Sequence, residues 1–213
     1  MMTHPPSLSD KALFSTLASL LDGFPRESTE NGVYRRLPDV LRRSVPCDAC
    51  ALLRRDGAQL TPLAIGGLSP DTLGRRFRLD EHPRLSILLD ARGPSRFDLG
   101  CALPDPYDGL VLGQAGKLEV HDCMGCPVFL ETPEEEMPWG LLTFDALDAG
   151  RFSGVDLEDL RTLAYFVAAI ARTARHLKTL RKAARGTPAD HGKKNRDSKE
   201  DGHSSHFSLS GAQ

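Results

Sequence analysis

The strongest structural pattern in the chain is a long stretch near its C-terminal end, residues 156–185. Its apolar residues recur at alternating intervals of three and four positions: Leu160, Leu163, Val167, Ile170, Ala174 and Leu177. This spacing places them along one stripe of a helix, as in helices that pack along a seam. Acidic residues at the start and basic residues further on suit the dipole of a single helix. We expect one long helix, packed either on the domain's own sheet or against a second copy of the chain.

Upstream of this helix, the apolar residues switch between helical and strand spacing. Helical spacing predicts three helical regions: about 8–21, about 30–43, and short helices within 69–92. Strand spacing predicts four strands: 49–53, 60–65, 118–130 and 139–147. Asp56-Gly57 is expected to close the first two strands into a hairpin. This order of elements predicts an α+β domain with a central antiparallel sheet, flanked by helices and followed by the long helix.

Composition excludes several classes of protein. The 213 residues include 27 Lys and Arg against 29 Asp and Glu, so the chain lacks the cation excess of a general nucleic-acid binder. The longest stretch without a charged residue, 57–70, has 14 residues and two prolines, which is too short to span a bilayer. The beginning of the chain lacks the features of a signal peptide. We therefore expect a cytoplasmic protein, with a flexible segment at 1–7, one domain at 8–184 and a disordered tail at 185–213.

Five cysteines form two C-x-x-C pairs and one single residue: Cys47 with Cys50, Cys123 with Cys126, and Cys101. A reducing compartment would keep most of them as thiols. The pairs raise the possibility of zinc binding. On a regular strand, however, residues three apart face opposite sides, so neither pair chelates unless its strand is broken.

Two predicted strands carry polar residues that could bind a metal. Asp145 follows an apolar run, where an inward-facing carboxylate must be paired, hydrogen-bonded or bound to a metal. On the neighbouring strand, His121 and Cys123 are two residues apart and therefore share a face. Each residue also has an ordinary structural interpretation, as a turn cap, an edge residue or a small core residue. Together they make the two strands a candidate metal site.

A stretch rich in Pro, Gly and Asp, residues 95–116, predicts a long loop before these strands. Within it, Asp105 and Asp108 flank Pro106-Tyr107, where proline favours a tight turn and two carboxylates could converge. Either aspartate could instead be a turn former. Carboxylate, imidazole and thiolate ligands together favour non-haem iron(II) over zinc.

Several motifs resemble those of the N-terminal GAF sensor domains in NorR-type regulators, which respond to nitric oxide. The likeness extends over about residues 8–180 and depends on these motifs: PCDACALL, GRRF, HPRL, LPDPYDGL, H-x-C-x-G and T-x-DAL. The resemblance implies a GAF fold that holds a mononuclear non-haem iron(II) and binds nitric oxide. It implies these metal-ligand positions: Asp105, Asp108, Cys123, Asp145 and His121. Arg84 and Tyr107 are expected beside the metal or in the nitric oxide pocket, because a protonated guanidinium has no lone pair for iron.

The resemblance predicts a sensor rather than an enzyme. The ATPase and DNA-binding regions of the regulators are not seen in this sequence, so we expect a stand-alone sensor that acts on a separate regulator or ATPase. Two alternatives remain open. One is a thiol-based redox enzyme resembling free methionine sulfoxide reductase, using Cys101, Cys123 and Cys126; the other is a metal-free GAF dimerisation module. We also predict a weak homodimer, joined through the N-terminal half of the long helix.

Overall fold

The computed structural model describes residues 15, 18, 19, 30–98, 100–113, 122–131 and 137–186. Its helices are α1 (Glu30–Arg35), α2 (Leu37–Ser44), α3 (Pro83–Asp90) and α4 (Leu157–Gly186). Its strands are β1 (Ala49–Asp56), β2 (Gln59–Gly66), β3 (Phe77–Arg78), β4 (Ser95–Arg96), β5 (Asp122–Val128) and β6 (Gly140–Ala146). Of the predicted helix at 8–21, only Ser15, Ala18 and Ser19 are described, and they are helical. Three predicted features lie outside the described residues: the segment 1–7, His121 and the tail from residue 187 onward. The first two residues of the predicted tail, 185 and 186, belong to α4.

The six strands form one sheet in the order β3-β2-β1-β6-β5-β4, and every neighbouring pair is antiparallel. Strands β1, β6 and β5 occupy its centre, so the hairpin of β1 and β2 lies beside the two later strands. This arrangement confirms the predicted α+β class with a central antiparallel sheet.

Three local predictions need correction. The helix expected over 30–43 is two helices, because the chain turns at Arg36, just before Pro38 in the first turn of α2; proline lacks the backbone N–H that a continuous helix would use. The hairpin strands continue to Asp56, so the connecting residues are Gly57 and Ala58. The regions predicted as short helices and as a loop also contain β3 and β4. Strands of two residues have no periodicity to reveal them.

The alternation of residues along β6 gives the sheet two different faces. Leu142, Phe144 and Ala146 belong to the core cluster that includes the buried residues of α4. Leu141 belongs to a second cluster on the opposite face, together with the buried residues of α3. Thr143 and Asp145, at alternating positions with Leu142 and Phe144, lie on that second face and are fully buried.

The predicted long helix is confirmed, but its apolar seam packs within the domain. Five of the six seam residues are buried in the core cluster under the sheet: Leu160, Leu163, Val167, Ile170 and Ala174. Leu177 is half-buried. A dimer joined through the N-terminal half of this seam is therefore wrong, because the sheet already covers those side chains. None of the described helices, α4 included, combines the length and apolar character needed to cross a membrane.

Candidate metal centre

Three candidate ligands lie together on the face of the sheet opposite α4. One ligand atom from each of Asp105, Cys123 and Asp145 lies within 4.8 Å of the other two. The three residues are buried, with exposed fractions of 6%, 2% and 0%. In the part of the chain that the structure describes, this is the one group of three or more such ligands close enough to hold a metal ion.

The register of the central strands explains how two of these ligands meet. Cys123 of β5 lies directly opposite Asp145 of β6. Residues directly opposite each other in an antiparallel pair project to the same face. On the other side of β6, Asp145 lies opposite Ala49, which adds only a methyl group to that face. The thiol and the carboxylate are therefore neighbours on one face of the sheet.

Asp105 reaches the cluster from the loop that follows β4. Its Oδ1 accepts a hydrogen bond from the backbone N–H of Tyr107 at 2.9 Å, a local bond typical of Asp in turns. The backbone N–H of Asp108 bonds to the Asp105 carbonyl at 3.3 Å. The Tyr107 ring is fully buried, and its hydroxyl lies 3.2 Å from Thr143 Oγ1 on β6. The predicted turn thus exists, and Tyr107 anchors it to the sheet.

Arg84, in the first turn of α3, holds the same loop from the other side. Its guanidinium donates to Asp105 Oδ2 at 3.0 Å, to the Leu103 carbonyl at 2.8 Å and to the Cys101 carbonyl at 3.2 Å. It also lies 5.4 Å from the centre of the Phe97 ring. A buried guanidinium with these partners orients the carboxylate, which is the role expected of Arg84 next to a metal.

Gly125 allows α3 to lie close to the sheet. It follows Cys123 by two residues and faces the same side. A Cβ atom there would lie 3.0 Å from Leu88 Cδ1 and 2.9 Å from the Leu142 carbonyl oxygen. The glycine in the H-x-C-x-G motif therefore has a packing role. Both Gly125 and Thr143 were missed as site-supporting residues, although their positions two residues from Cys123 and Asp145 place them on the same face.

The three acidic groups of the cluster are held toward their protonated forms. Burial raises the pKa of Asp105 to about 6, against the lowering effect of the Tyr107 N–H and Arg84. Burial, followed by the charge of Asp105, raises the pKa of Asp145 well above its ordinary value. Burial and the charge of Asp145 likewise raise the pKa of the Cys123 thiol. The neighbouring arginine does not offset the cost of burying three negative charges.

Asp145 carries the clearest sign of an incomplete site. Among the described residues, neither of its carboxylate oxygens has a hydrogen-bond partner, although the side chain is fully buried. A buried carboxylate without a partner is costly. Two carboxylates and a thiolate are donors that a divalent transition metal accepts, and a bound cation would favour the deprotonated forms that burial disfavours. The residues present therefore fit a metal ion.

Asp108 lies beside the cluster rather than in it. Its side chain is exposed and lines a cavity of about 460 Å³ together with Arg84, Cys101 and Cys123. The cavity gives solvent access to the cluster at Cys123. Of the five predicted ligands, the structure brings three together, places Asp108 at the cavity wall and does not describe His121.

The remaining cysteines do not join the centre. Cys126 lies in the core cluster on the α4 side of the sheet, so a relay of Cys101, Cys123 and Cys126 is not assembled. The opposite faces predicted for Cys47 and Cys50 are wrong: both thiols are buried in that same cluster and hydrogen-bond to each other, because Cys47 precedes β1 and does not follow strand alternation. No third ligand joins them among the described residues. The opposite faces predicted for Cys123 and Cys126 are confirmed.

Comparison with known proteins identifies the fold. Residues 31–170 match the GAF domain family. The chain belongs to the GAF domain family. It is 42% identical over 178 residues to the anaerobic nitric oxide reductase transcription regulator NorR of Serratia proteamaculans, covering 84% of this chain and 33% of that protein. It is 38% identical over 173 residues to the regulatory protein LuxO of Vibrio cholerae, covering 81% of this chain and 32% of that one.

The GAF chain thus spans about a third of the length of these two regulators. The predicted resemblance to NorR-type GAF domains is confirmed. Among solved structures, the free methionine-R-sulfoxide reductase of Neisseria meningitidis is similar, with a TM-score of 0.58 and 17% identity, covering 83% of this chain and 99% of that one. At that identity, the likeness shows the shared GAF fold alone.

Proposed function

We propose that this GAF domain is a regulatory sensor that binds nitric oxide at a mononuclear non-haem iron(II) and controls a transcriptional partner. Asp105, Cys123 and Asp145 would hold the iron, with Asp108 available at the cavity wall. The observation that carries the proposal is the buried Asp145 carboxylate, without a partner and beside two further donors. The name of the Serratia relative connects that protein with the regulation of nitric oxide reductase.

The protein residues have separate tasks at this centre. Arg84 and the Tyr107 N–H fix the two oxygens of Asp105, so this carboxylate keeps its orientation. The cavity that reaches Cys123 leaves room for a small ligand to approach. Bound iron(II) would supply a centre with an affinity for nitric oxide.

The strands connect the centre with the long helix. Phe144 lies between Thr143 and Asp145 in sequence and packs in the core cluster with the seam of α4. A change in the position of Asp145 would therefore act on the sheet surface that supports α4. The domain would then have two conformations that differ in the position of Asp145. Nitric oxide can shift the equilibrium between them only by the difference in its affinity for the two conformations.

Two observations favour a sensor over a thiol enzyme. Burial and neighbouring carboxylates raise the pKa of Cys123, whereas a nucleophilic cysteine needs a lowered pKa in the metal-free protein. A metal ligand has no such need, because a bound cation would itself deprotonate the thiol. The relatives from Serratia proteamaculans and Vibrio cholerae are both named as regulators. We therefore assign Cys123 to metal binding rather than to catalysis.

The decisive test is anaerobic loading with iron(II), followed by nitric oxide and electron paramagnetic resonance. We expect a half-integer-spin signal from about one iron centre per chain. Asp145→Asn and Cys123→Ala should remove the signal, with a loss of iron affinity greater than about 100-fold, because a direct ligand matters more than an outer contact. The measurement is iron retained on dialysis together with the spin count.

Cys126→Ala is the matched control, since it removes a buried thiol from the same strand but from the opposite face. It should keep both iron and signal. Failure of the unmodified chain to bind iron, or equal losses in the Cys123 and Cys126 variants, would refute the assignment. Asp108→Ala decides whether the carboxylate at the cavity wall belongs to the ligand set.

A further inference from the structure

A second cavity, of about 480 Å³, lies along β2 and has no lining residue in common with the cavity beside the metal centre. Strand β3 pairs with β2 at Gln59 and Leu60, so residues 61–66 have no strand partner on that edge among the described residues. Leu52 pairs with Ala64 and Leu53 pairs with Pro62. Leu63 is therefore an extra residue in β2, a bulge that interrupts the register with β1. Such bulges bend a strand and redirect its side chains.

One wall of the cavity comes from the paired strands β1 and β2. Arg54 of β1 lies directly opposite Thr61 of β2, so both side chains project to the same face. Both residues line the cavity. The Thr61 hydroxyl is closed off from solvent, so the half-buried Arg54 is the polar side chain of this strand pair that a bound molecule can reach.

Two further arginines, Arg35 at the end of α1 and Arg76 before β3, line the same cavity. In the described part of the chain, none of the three arginines forms an ion pair with a carboxylate. The guanidinium of Arg76 donates only to the neighbouring Arg75 carbonyl. Guanidinium groups recognise carboxylates and phosphates through paired N–H donors. One exposed arginine is ordinary, but three that line the same cavity without a carboxylate partner among the described residues favour an oxyanion.

The rest of the wall is apolar. Leu63, Ile65 and Leu73 contribute side chains, and Leu73 is 47% exposed. The volume lies within the range of small-molecule sites, which are mostly apolar with a few polar groups that fix orientation. We propose that this cavity binds an amphipathic organic anion, with a carboxylate or phosphate held by the arginines and an apolar body against the leucines and isoleucine. This second site does not depend on the proposed iron centre.

Calorimetric titration of the full chain near neutral pH tests the proposal with four probes. Octanoate and hexyl phosphate combine an oxyanion with an apolar body, whereas acetate has only the anion and octan-1-ol only the chain. We expect octanoate or hexyl phosphate to bind at least about tenfold more tightly than either partial probe, as the loss of hydrogen bonds to a charged group predicts. The tighter of the two identifies carboxylate or phosphate as the preferred group.

Variants locate the binding. Arg54→Met and Arg76→Met should each weaken binding of the preferred probe several-fold. Arg43→Met, which removes an exposed arginine of α2 outside the cavity, should not. Because Arg76 is exposed, its variant remains informative if a change at half-buried Arg54 impairs folding. No binding of either amphipathic probe, equal binding of octan-1-ol, or equal effects of the Arg76 and Arg43 changes would overturn the proposal.

Discussion

The two faces of the β5–β6 pair have the same backbone but opposite chemistry. On the α4 face, Met124, Cys126 and Phe144 are buried among apolar side chains. On the other face, Cys123 and Asp145 lie opposite each other beside Asp105. The difference shows that two short strands can carry both an apolar core face and a face with candidate metal ligands, because alternate residues project to opposite sides.

The two faces also differ in whether burial is favourable for the side chains that they carry. The α4 face gains free energy by removing apolar area from water. The ligand face buries carboxylates, and Asp145 has no hydrogen-bond partner among the described residues. We therefore expect changes on the first face to alter folding and changes on the second to alter metal binding. Three experiments separate the faces.

The largest expected effect is on the core face. Phe144→Ala should lower the free energy of unfolding by about 3 to 5 kcal/mol, because it leaves a cavity under α4. Thr143→Val, the neighbouring position on the ligand face, should cost only about 1 kcal/mol through the lost contact with the Tyr107 hydroxyl. Chemical denaturation measures both. Similar losses would show that the faces are not energetically distinct.

The next effect is a pH dependence of the metal-free domain. The folded-state pKa of Asp105 is raised by burial from 3.8 to about 6, so the folded state binds the proton more tightly than the unfolded state. The stability that this proton provides is complete below about pH 4 and is lost as the pH rises through about 6. The change corresponds to about 3 kcal/mol, and Asp145 acts in the same direction.

Unfolding at about pH 5 and about pH 7.5 should therefore show a less stable metal-free protein at the higher pH. His82 acts in the opposite direction, because burial lowers its pKa. Asp105→Asn isolates the carboxylate, since it should flatten the slope without affecting His82. A slope unchanged in this variant would contradict the assignment.

The smallest effect concerns Arg84. Arg84→Lys keeps the positive charge but loses the planar group that reaches Asp105, Leu103 and Cys101. Iron(II) affinity should fall about tenfold, as for other residues that orient a metal ligand. Arg78→Lys, at an exposed ion pair, is the control and should leave the affinity unchanged. An unchanged affinity in the Arg84 variant would remove it from the supporting residues.

Parts of the site could be predicted from the sequence because they depend on local pattern. The spacing around Cys123 and the carboxylate after an apolar run at Asp145 marked two ligand positions. The sequence did not reveal that Tyr107 would contact Thr143, or that Gly125 would allow close packing of Leu88. Those contacts join segments far apart in the chain, and no local periodicity encodes them.

The long helix shows the same division. Its existence, polarity and apolar seam followed from the sequence, because helical spacing and charge order are properties of one segment. Which surface covers the seam was open, since the same stripe suits a second copy of the chain or the domain's own sheet. In the tertiary structure the domain's own sheet covers the seam, because β5 and β6 present an apolar face to α4. Tertiary structure also decided the ligand cluster, since only the antiparallel register brings Cys123 opposite Asp145, and only the loop held by Arg84 adds Asp105.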